Sequence, residues 1–114
     1  MHKLVILIEP PADPFAFDEG WPAFLHLAED MPGLVRESTA RVSGALYGSF
    51  NVSMIHELFF DTSEDLQRAM TSSQGQAAGR VLQQITGGRM TLLVAEHRED
   101  SIENLRKYQT TEKR

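Results

Sequence analysis

Segments with the hydrophobic pattern of strands alternate along the chain with segments that have the pattern of helices. This alternation constrains the fold more than any other feature. Residues 4–8 (LVILI) are a continuous aliphatic run that ends before two prolines, which predicts a buried central strand. Residues 52–60 (VSMIHELFF) are largely apolar on both alternating faces and predict a second interior strand. Residues 34–47 mix polar and apolar side chains as an edge strand does, and residues 90–95 (MTLLVA) predict the last strand.

In the segments between these strands, apolar residues are spaced as they are on one face of a helix. The first helix is predicted from a single apolar stripe, made of Trp21, Phe24, Leu25, Ala28 and Met31. We expect this helix to open at Asp18 or Gly20, so that Pro22 falls in the first turn, where proline is tolerated. Thr62 and Asp65 have the spacing of a capping box before a short helix. Ser73 and Gln76 have the same spacing before another, which residues 87–88 (GG) end.

The resulting order, β-α-β-β-α-β with a broken second helix, predicts a ferredoxin-like α+β fold. Right-handed crossovers then give a four-stranded antiparallel sheet in the order 4-1-3-2, with the helices on one face. The other face is left bare, and Ile8, Ile55 and Leu93 indicate that few strand faces are polar enough to contact water. An apolar sheet face calls for a partner, so we predict a homodimer, a dimeric α+β barrel with sheets face to face.

The chain is predicted to divide into a folded domain and a polar extension. The domain should span residues 1–98. Residues 99–114 should form the extension, with a weak helix over 101–108 and a frayed tail after it.

Composition excludes several classes of protein. The sequence has no cysteine, which removes disulfide scaffolds, thiolate zinc sites and thiol nucleophiles. The net charge is −5, whereas a nucleic-acid binder shows a basic surplus. No apolar run approaches the roughly 20 residues that a membrane helix needs. The start of the chain lacks the features of a secretory signal, so we expect a cytoplasmic protein.

Five short motifs occur in a fixed order along residues 1–97. They are a first strand (residues 1–7, MHKLVIL), a helix entry (11–19, PADPFAFDE), a helix exit (31–34, MPGL), a strand ending (57–61, ELFFD) and a late-helix start (73–80, SQGQAAGR). Together they resemble the EthD-like family of the dimeric α+β barrel superfamily.

The resemblance implies a homodimeric protein tied to the oxidation of small hydrophobic compounds in a catabolic pathway. The family is named for a small protein encoded beside a cytochrome P450 system that degrades fuel ethers. Its wider group includes cofactor-free monooxygenases, lactone isomerases, polyketide cyclases and haem-handling enzymes.

Many EthD-like proteins carry a histidine in the first helix, eight residues before the proline of the helix exit. Phe24 takes that position here, and His26 lies two residues further on, so the family's acid/base histidine is missing or displaced.

His56 is the candidate catalytic residue that the chain itself offers. It shares a strand face with apolar side chains, so its imidazole should be desolvated and neutral near physiological pH, as an acid/base group needs. The alternative is a buried structural histidine that is hydrogen-bonded to the backbone. For a catalytic site we expect His56 as the general base and Arg36 polarising the substrate. Arg36 and Arg41 could also clamp an anionic substrate carboxylate, and the alternative is that they are surface cations of an edge strand.

Trp21, Phe24 and Tyr47 are expected to line an apolar substrate pocket between the first helix and the sheet, with Glu57 as a further substrate-binding group. The alternatives are plain core for Trp21 and Phe24, exposure for Tyr47, and surface ion pairing for the strand-end carboxylates.

No metal or cofactor is predicted. His2 and His97 should lie near one end of the sheet, but no metal-binding motif accompanies them. Residues 75–79 (GQAAG) lack the Lys-Ser/Thr of a phosphate loop, and their glycines should instead let the helix approach the sheet closely.

Three functional hypotheses follow. The leading one is an EthD-like small-molecule-binding protein that assists or performs the oxidation of a small hydrophobic compound, as a monooxygenase-like oxidoreductase or beside an oxygenase component. The second is a cofactor-free isomerase or cyclase in which His56 shuttles a proton. The third is a non-catalytic accessory binding protein of an oxygenase system. Neither nucleic acid nor a membrane is expected as a partner.

Overall fold

A four-stranded antiparallel sheet forms one layer of the computed structural model, which describes residues 1–103, and three helices form the other. The elements are β1 (His2–Ile8), α1 (Pro14–Glu29), β2 (Leu34–Arg41), β3 (Met54–Phe60), α2 (Ser63–Thr71), α3 (Ser73–Thr86) and β4 (Met90–Glu96). The strand order is β2-β3-β1-β4, which confirms the predicted ferredoxin-like fold and its order 4-1-3-2. The predicted helix over 101–108 and the tail after it lie, from residue 104 onward, outside the described residues.

Alternation along the two central strands separates the faces of the sheet. Most buried side chains of β1 and β3 point toward the helices, and they include Ile6, Ile8, His56, Leu58 and Phe60. The positions between them form the opposite face, which we call the open face. Phe59 is buried as well but lies on the open face. Ile8 is fully buried, on the helix-facing side.

The open face is apolar at its centre and charged toward one end. Cross-strand pairing places Val5 opposite Leu93 and Leu7 opposite Ile55 on this face. Lys3 and Glu57 lie on the same face and form an ion pair. Leu93 is 46% exposed, which is unusual for a leucine in the middle of a strand.

Helix α1 begins at Pro14, four residues before the earlier of the two expected starts. The Asp13 side chain accepts a hydrogen bond from the backbone N–H of Ala16 at 3.1 Å, and Pro14 takes the first helical position, where its missing N–H has no cost. Pro22 consequently lies inside the helix rather than in its first turn, and it removes one backbone hydrogen bond there. The expected start was wrong because it followed the apolar stripe, which begins later than the cap.

A tight junction joins α2 to α3. The Thr62 hydroxyl caps α2 by accepting from the N–H of Asp65 at 3.1 Å, as predicted. Ser72, not Ser73, caps α3, and its hydroxyl accepts from the N–H of Gly75 at 3.0 Å. A Cβ on Gly75 would lie 2.1 Å from the carbonyl oxygen of Ala69, so this glycine lets α3 approach α2 rather than the sheet. None of the helices within residues 1–103 has the length and apolar character needed to span a membrane.

Candidate functional site

His56 is the centre of a hydrogen-bonded trio on the helix-facing side of the sheet. Its side chain is fully buried, at 0% exposure. Nε2 lies 3.0 Å from Oε2 of Glu37, and Nδ1 lies 2.8 Å from Oγ1 of Thr39. An ionised carboxylate only accepts hydrogen bonds, so Nε2–H donates to Glu37 and Nδ1 accepts from the Thr39 hydroxyl. Both ring nitrogens of His56 therefore have partners on β2.

Two aromatic rings of α1 cover this imidazole. Trp21 and Phe24 meet the His56 ring edge-on, with centroid distances of 5.2 and 5.7 Å. Burial lowers the pKa of His56 below its usual 6.5, and the hydrogen bond and charge of Glu37 oppose that shift. The imidazole is therefore neutral at physiological pH. Of the predicted site residues, the structure brings His56, Trp21 and Phe24 together.

Glu37 and Thr39 are the site residues that the sequence reasoning missed. The Glu37 side chain is 24% exposed, so it connects the sealed imidazole to solvent. A signal was present, because Glu37 and Thr39 are two residues apart on an edge strand and so share a face. Their pairing with His56 depends on the β2–β3 register, which is shifted by an irregularity between Leu34 and Arg36.

A small apolar cavity is lined in part by Phe24. Its volume is ≈ 20 Å³, about the space that one water molecule occupies. It is lined by Leu4, Ile6, Phe24, Met31, Leu58, Met70, Gly75, Ala78, Gly79, Leu82 and Leu92. We call it the Phe24 cavity. A ligand larger than water requires this cavity to expand.

A larger cleft lies where β1 leads into α1. Its volume is ≈ 240 Å³, and it is lined by Pro10, Pro11, Pro14, Phe17, Asp18, Arg41, Ser53 and Met54. We call it the Arg41 cleft. Its base includes Phe17 and Met54, which are almost fully buried. The cleft therefore combines an apolar base with charged groups at its rim.

Arg36 and Glu57 stand on the open face, away from His56. The Arg36 guanidinium lies 4.2 Å from the centre of the Phe59 ring and donates to Glu99 at 2.5 Å. Glu57 follows His56 directly in β3, so its side chain points to the opposite face and pairs with Lys3. The expectation that Arg36 and His56 act together on one substrate is therefore wrong within a single subunit.

Tyr47 lies in the connection between β2 and β3. Its side chain is 99% exposed, so the expectation that it lines a pocket with Trp21 is wrong for a single subunit. The connection, residues 42–53, carries no alternating pattern that could have placed its side chains beforehand.

His97 follows the last residue of β4 and lies on the open face. Its ring meets Phe59 edge-on at 4.8 Å, and its Nε2 donates to Glu99 at 2.7 Å. Hydrogen bonds from His97 and Arg36 lower the pKa of Glu99. Within residues 1–103, no group of three or more histidine or carboxylate side chains is arranged to hold a metal ion.

Comparison with known proteins places this arrangement among ferredoxin-like proteins. An ethyl tert-butyl ether d (ethd) family protein of Bacillus halodurans has a TM-score of 0.78 and 32% identity, covering 86% of this chain and 99% of that one. A curated relative, an uncharacterized 11.0 kDa protein from the thcB-thcC intergenic region of Rhodococcus erythropolis, is 24% identical over 94 residues, 82% of this chain and 91% of its own length. No protein-family model matches the chain.

Two more distant structures share the fold alone. A dimeric ferredoxin-like protein of unknown function from Jannaschia sp. has a TM-score of 0.66 and 16% identity, over 84% of this chain and 98% of that one. SnoaB, a cofactor-independent oxygenase from Streptomyces nogalater, has a TM-score of 0.65 and 13% identity, over 89% and 96%.

Proposed function

The chain belongs to the EthD family, and from that premise we propose that it is a cytoplasmic homodimer that binds a small hydrophobic compound and assists or performs its oxidation in a catabolic pathway. The observation that carries the proposal is the neutral His56 imidazole, sealed beneath Trp21 and Phe24 and linked to solvent through Glu37. A neutral buried imidazole with a carboxylate partner is the arrangement that general base catalysis requires. The fold shared with SnoaB, itself a cofactor-independent oxygenase, supports oxidation as the reaction class.

The chemistry follows from the two hydrogen bonds of His56. A substrate hydroxyl that displaces the Thr39 hydroxyl would meet the lone pair of Nδ1 and transfer its proton there. The imidazolium formed in this way is stabilised by Glu37, which already accepts from Nε2. The apolar body of the substrate would lie against the aromatic side chains of α1 that cover the imidazole, Trp21 and Phe24.

The test is product formation by a variant that lacks the imidazole. The purified protein is incubated in air with 1-naphthol, whose hydroxyl can supply the proton that Nδ1 accepts, and products are identified by mass spectrometry. We expect a product that has gained one oxygen atom and lost two hydrogen atoms, because the substrate itself supplies the electrons and the second atom of O2 leaves as water. His56→Gln should form this product about a hundredfold more slowly. His26→Gln is the matched control, because His26 is an exposed histidine of α1. If His56→Gln forms product at the rate of the unchanged protein, the base role is refuted.

A non-catalytic accessory role is the second candidate, favoured by one observation. Both ring nitrogens of His56 are already hydrogen-bonded within the protein, as in a structural histidine. In that case 1-naphthol binds the unchanged protein and His56→Gln alike, and neither forms product alone. A product of the same mass as its substrate would instead support the hypothesis of a cofactor-free isomerase or cyclase.

The homodimer is supported by the open face and by the dimeric ferredoxin-like neighbour from Jannaschia. The centre of the open face carries Val5, Leu7, Ile55 and Leu93, and in residues 1–103 no helix covers it. Face-to-face packing of two sheets would bury these side chains. Arg36 and Glu57 would then lie between subunits, and their predicted contact with substrate holds only for a ligand placed there.

Ile55→Glu is expected to convert the dimer to a monomer, because it places an unpaired carboxylate at the centre of an apolar interface. The measurement is molar mass by light scattering after size-exclusion chromatography. Phe15→Glu is the control, since Phe15 is 70% exposed on the helix side and should leave the dimer intact. A dimeric Ile55→Glu protein would contradict face-to-face packing.

A further inference from the structure

The two arginines of β2 have different electrostatic surroundings. Arg36 is held on the open face by Glu99 and by the Phe59 ring. Arg41 pairs across the sheet with Met54 and therefore shares the helix-facing side with His56. No ion pair joins Arg41 to a carboxylate anywhere in residues 1–103. Arg41 is therefore a cation available to a ligand, on the face where the candidate base lies.

The Arg41 cleft offers such a ligand an apolar seat. Phe17 and Met54 form its base and are 5% and 3% exposed. Its volume of ≈ 240 Å³ is just below the usual range for small-molecule sites and suits a ligand of about one aromatic ring. Asp18 also lines the cleft without forming an ion pair to Arg41, so the rim carries one positive and one negative group.

The cleft adjoins the candidate site through direct contacts. Phe17 stacks on Trp21 with a centroid distance of 5.4 Å, and Trp21 meets His56 edge-on. Met54 and His56 are two residues apart on β3 and share its helix-facing side. A ligand seated on Phe17 and Met54 is therefore one side chain away from the imidazole.

We infer that the compound handled by this protein is a small, mainly apolar carboxylate whose acid group is bound by Arg41. This inference rests on the proposed function and names its substrate class. The guanidinium offers two parallel N–H donors to the carboxylate, while the apolar body covers Phe17 and Met54. Asp18 repels the acid group and so directs it to the Arg41 side of the cleft.

The experiment compares benzoate with benzamide, which has the same shape and no charge. Binding is measured by backbone amide NMR titration at low salt, following Phe17, Thr39 and Met54. We expect benzoate to bind the unchanged protein at least tenfold more tightly than benzamide, and Arg41→Met to abolish that preference. Arg80→Met is the matched control, because it removes an exposed arginine of α3 from outside the cleft and should keep the preference. Asp18→Asn should tighten benzoate binding, since it removes the repelling charge.

Each of the other outcomes would overturn the inference. Equal binding of benzoate and benzamide to the unchanged protein overturns the acid-binding inference and leaves the proposed function standing. Binding of neither probe overturns the inference and also counts against a small-molecule function. If Arg36→Met abolishes the preference for benzoate over benzamide and Arg41→Met does not, the carboxylate is bound by Arg36 on the open face, and the inference is overturned. Folding of every variant is checked by its amide spectrum.

Discussion

Replacing Gly75 by alanine is expected to lower the free energy of unfolding by about 3 kcal/mol. The new Cβ would lie 2.1 Å from the carbonyl oxygen of Ala69 and 3.1 Å from that of Met70. Both contacts are with backbone, which cannot rotate away as a side chain can. The junction between α2 and α3 must therefore open, which also weakens the Ser72 cap on the N–H of Gly75.

Gly79, one turn further along α3, provides the matched control with the opposite sign. A Cβ there would meet no heavy atom within 4 Å, and the residue lines the Phe24 cavity. Gly79→Ala should raise the free energy of unfolding by about 0.5–1 kcal/mol, because alanine is the better helix former. Urea unfolding followed by circular dichroism measures both changes. A Gly75→Ala protein as stable as the unchanged one would show that the helices are not in close contact.

The layers of this fold were predictable from sequence because hydrophobic periodicity alone determines them. β1 and β3 occupy the centre of the sheet as predicted, and all of the strand residues that are buried lie in these two strands. The start of α1 was not predictable from the same signal. The stripe begins at Trp21, whereas the cap at Asp13 and Pro14 is a local hydrogen-bond and dihedral feature that periodicity does not contain.

Some residues of the candidate site were likewise predictable from the sequence, and others were not. His56 was predicted to be desolvated because it shares a strand face with apolar residues, and the helical stripe placed Phe24 between the first helix and the sheet. The structure buries both side chains, and their contact at 5.7 Å could not be predicted from the stripe. Glu37 and Thr39 required knowledge of the register between β2 and β3, which the irregularity near Val35 shifts by one position. The same shift decides that Arg36 faces away from His56 and Arg41 toward it. A one-residue displacement in an edge strand therefore determines which arginine can join the site.

Stability is expected to fall as the pH drops below about 6.5, by up to about 1.4 kcal/mol per pH unit. The cause is His56, whose pKa is lowered in the folded protein because burial disfavours its charged form. Well above pH 6.5 the imidazole is neutral in both the folded and the unfolded state and contributes no pH dependence. As the pH falls, the unfolded chain binds the proton first, so the unfolded state gains stability until the pH reaches the folded pKa. Urea unfolding from pH 7.5 to pH 5 measures the slope.

Two substitutions isolate this contribution. His56→Gln removes the titrating group, so its stability should be lower at pH 7.5 but flatter with pH, while exposed His26→Gln should keep the decline. Glu37→Gln keeps an acceptor for Nε2–H but removes the charge that favours the imidazolium. The folded pKa of His56 should then be lower still, and the decline should continue to a lower pH than in the unchanged protein. Equal slopes in the unchanged protein and His56→Gln would show that His56 is not the titrating group, and the neutral base on which the proposed chemistry depends would lose its support.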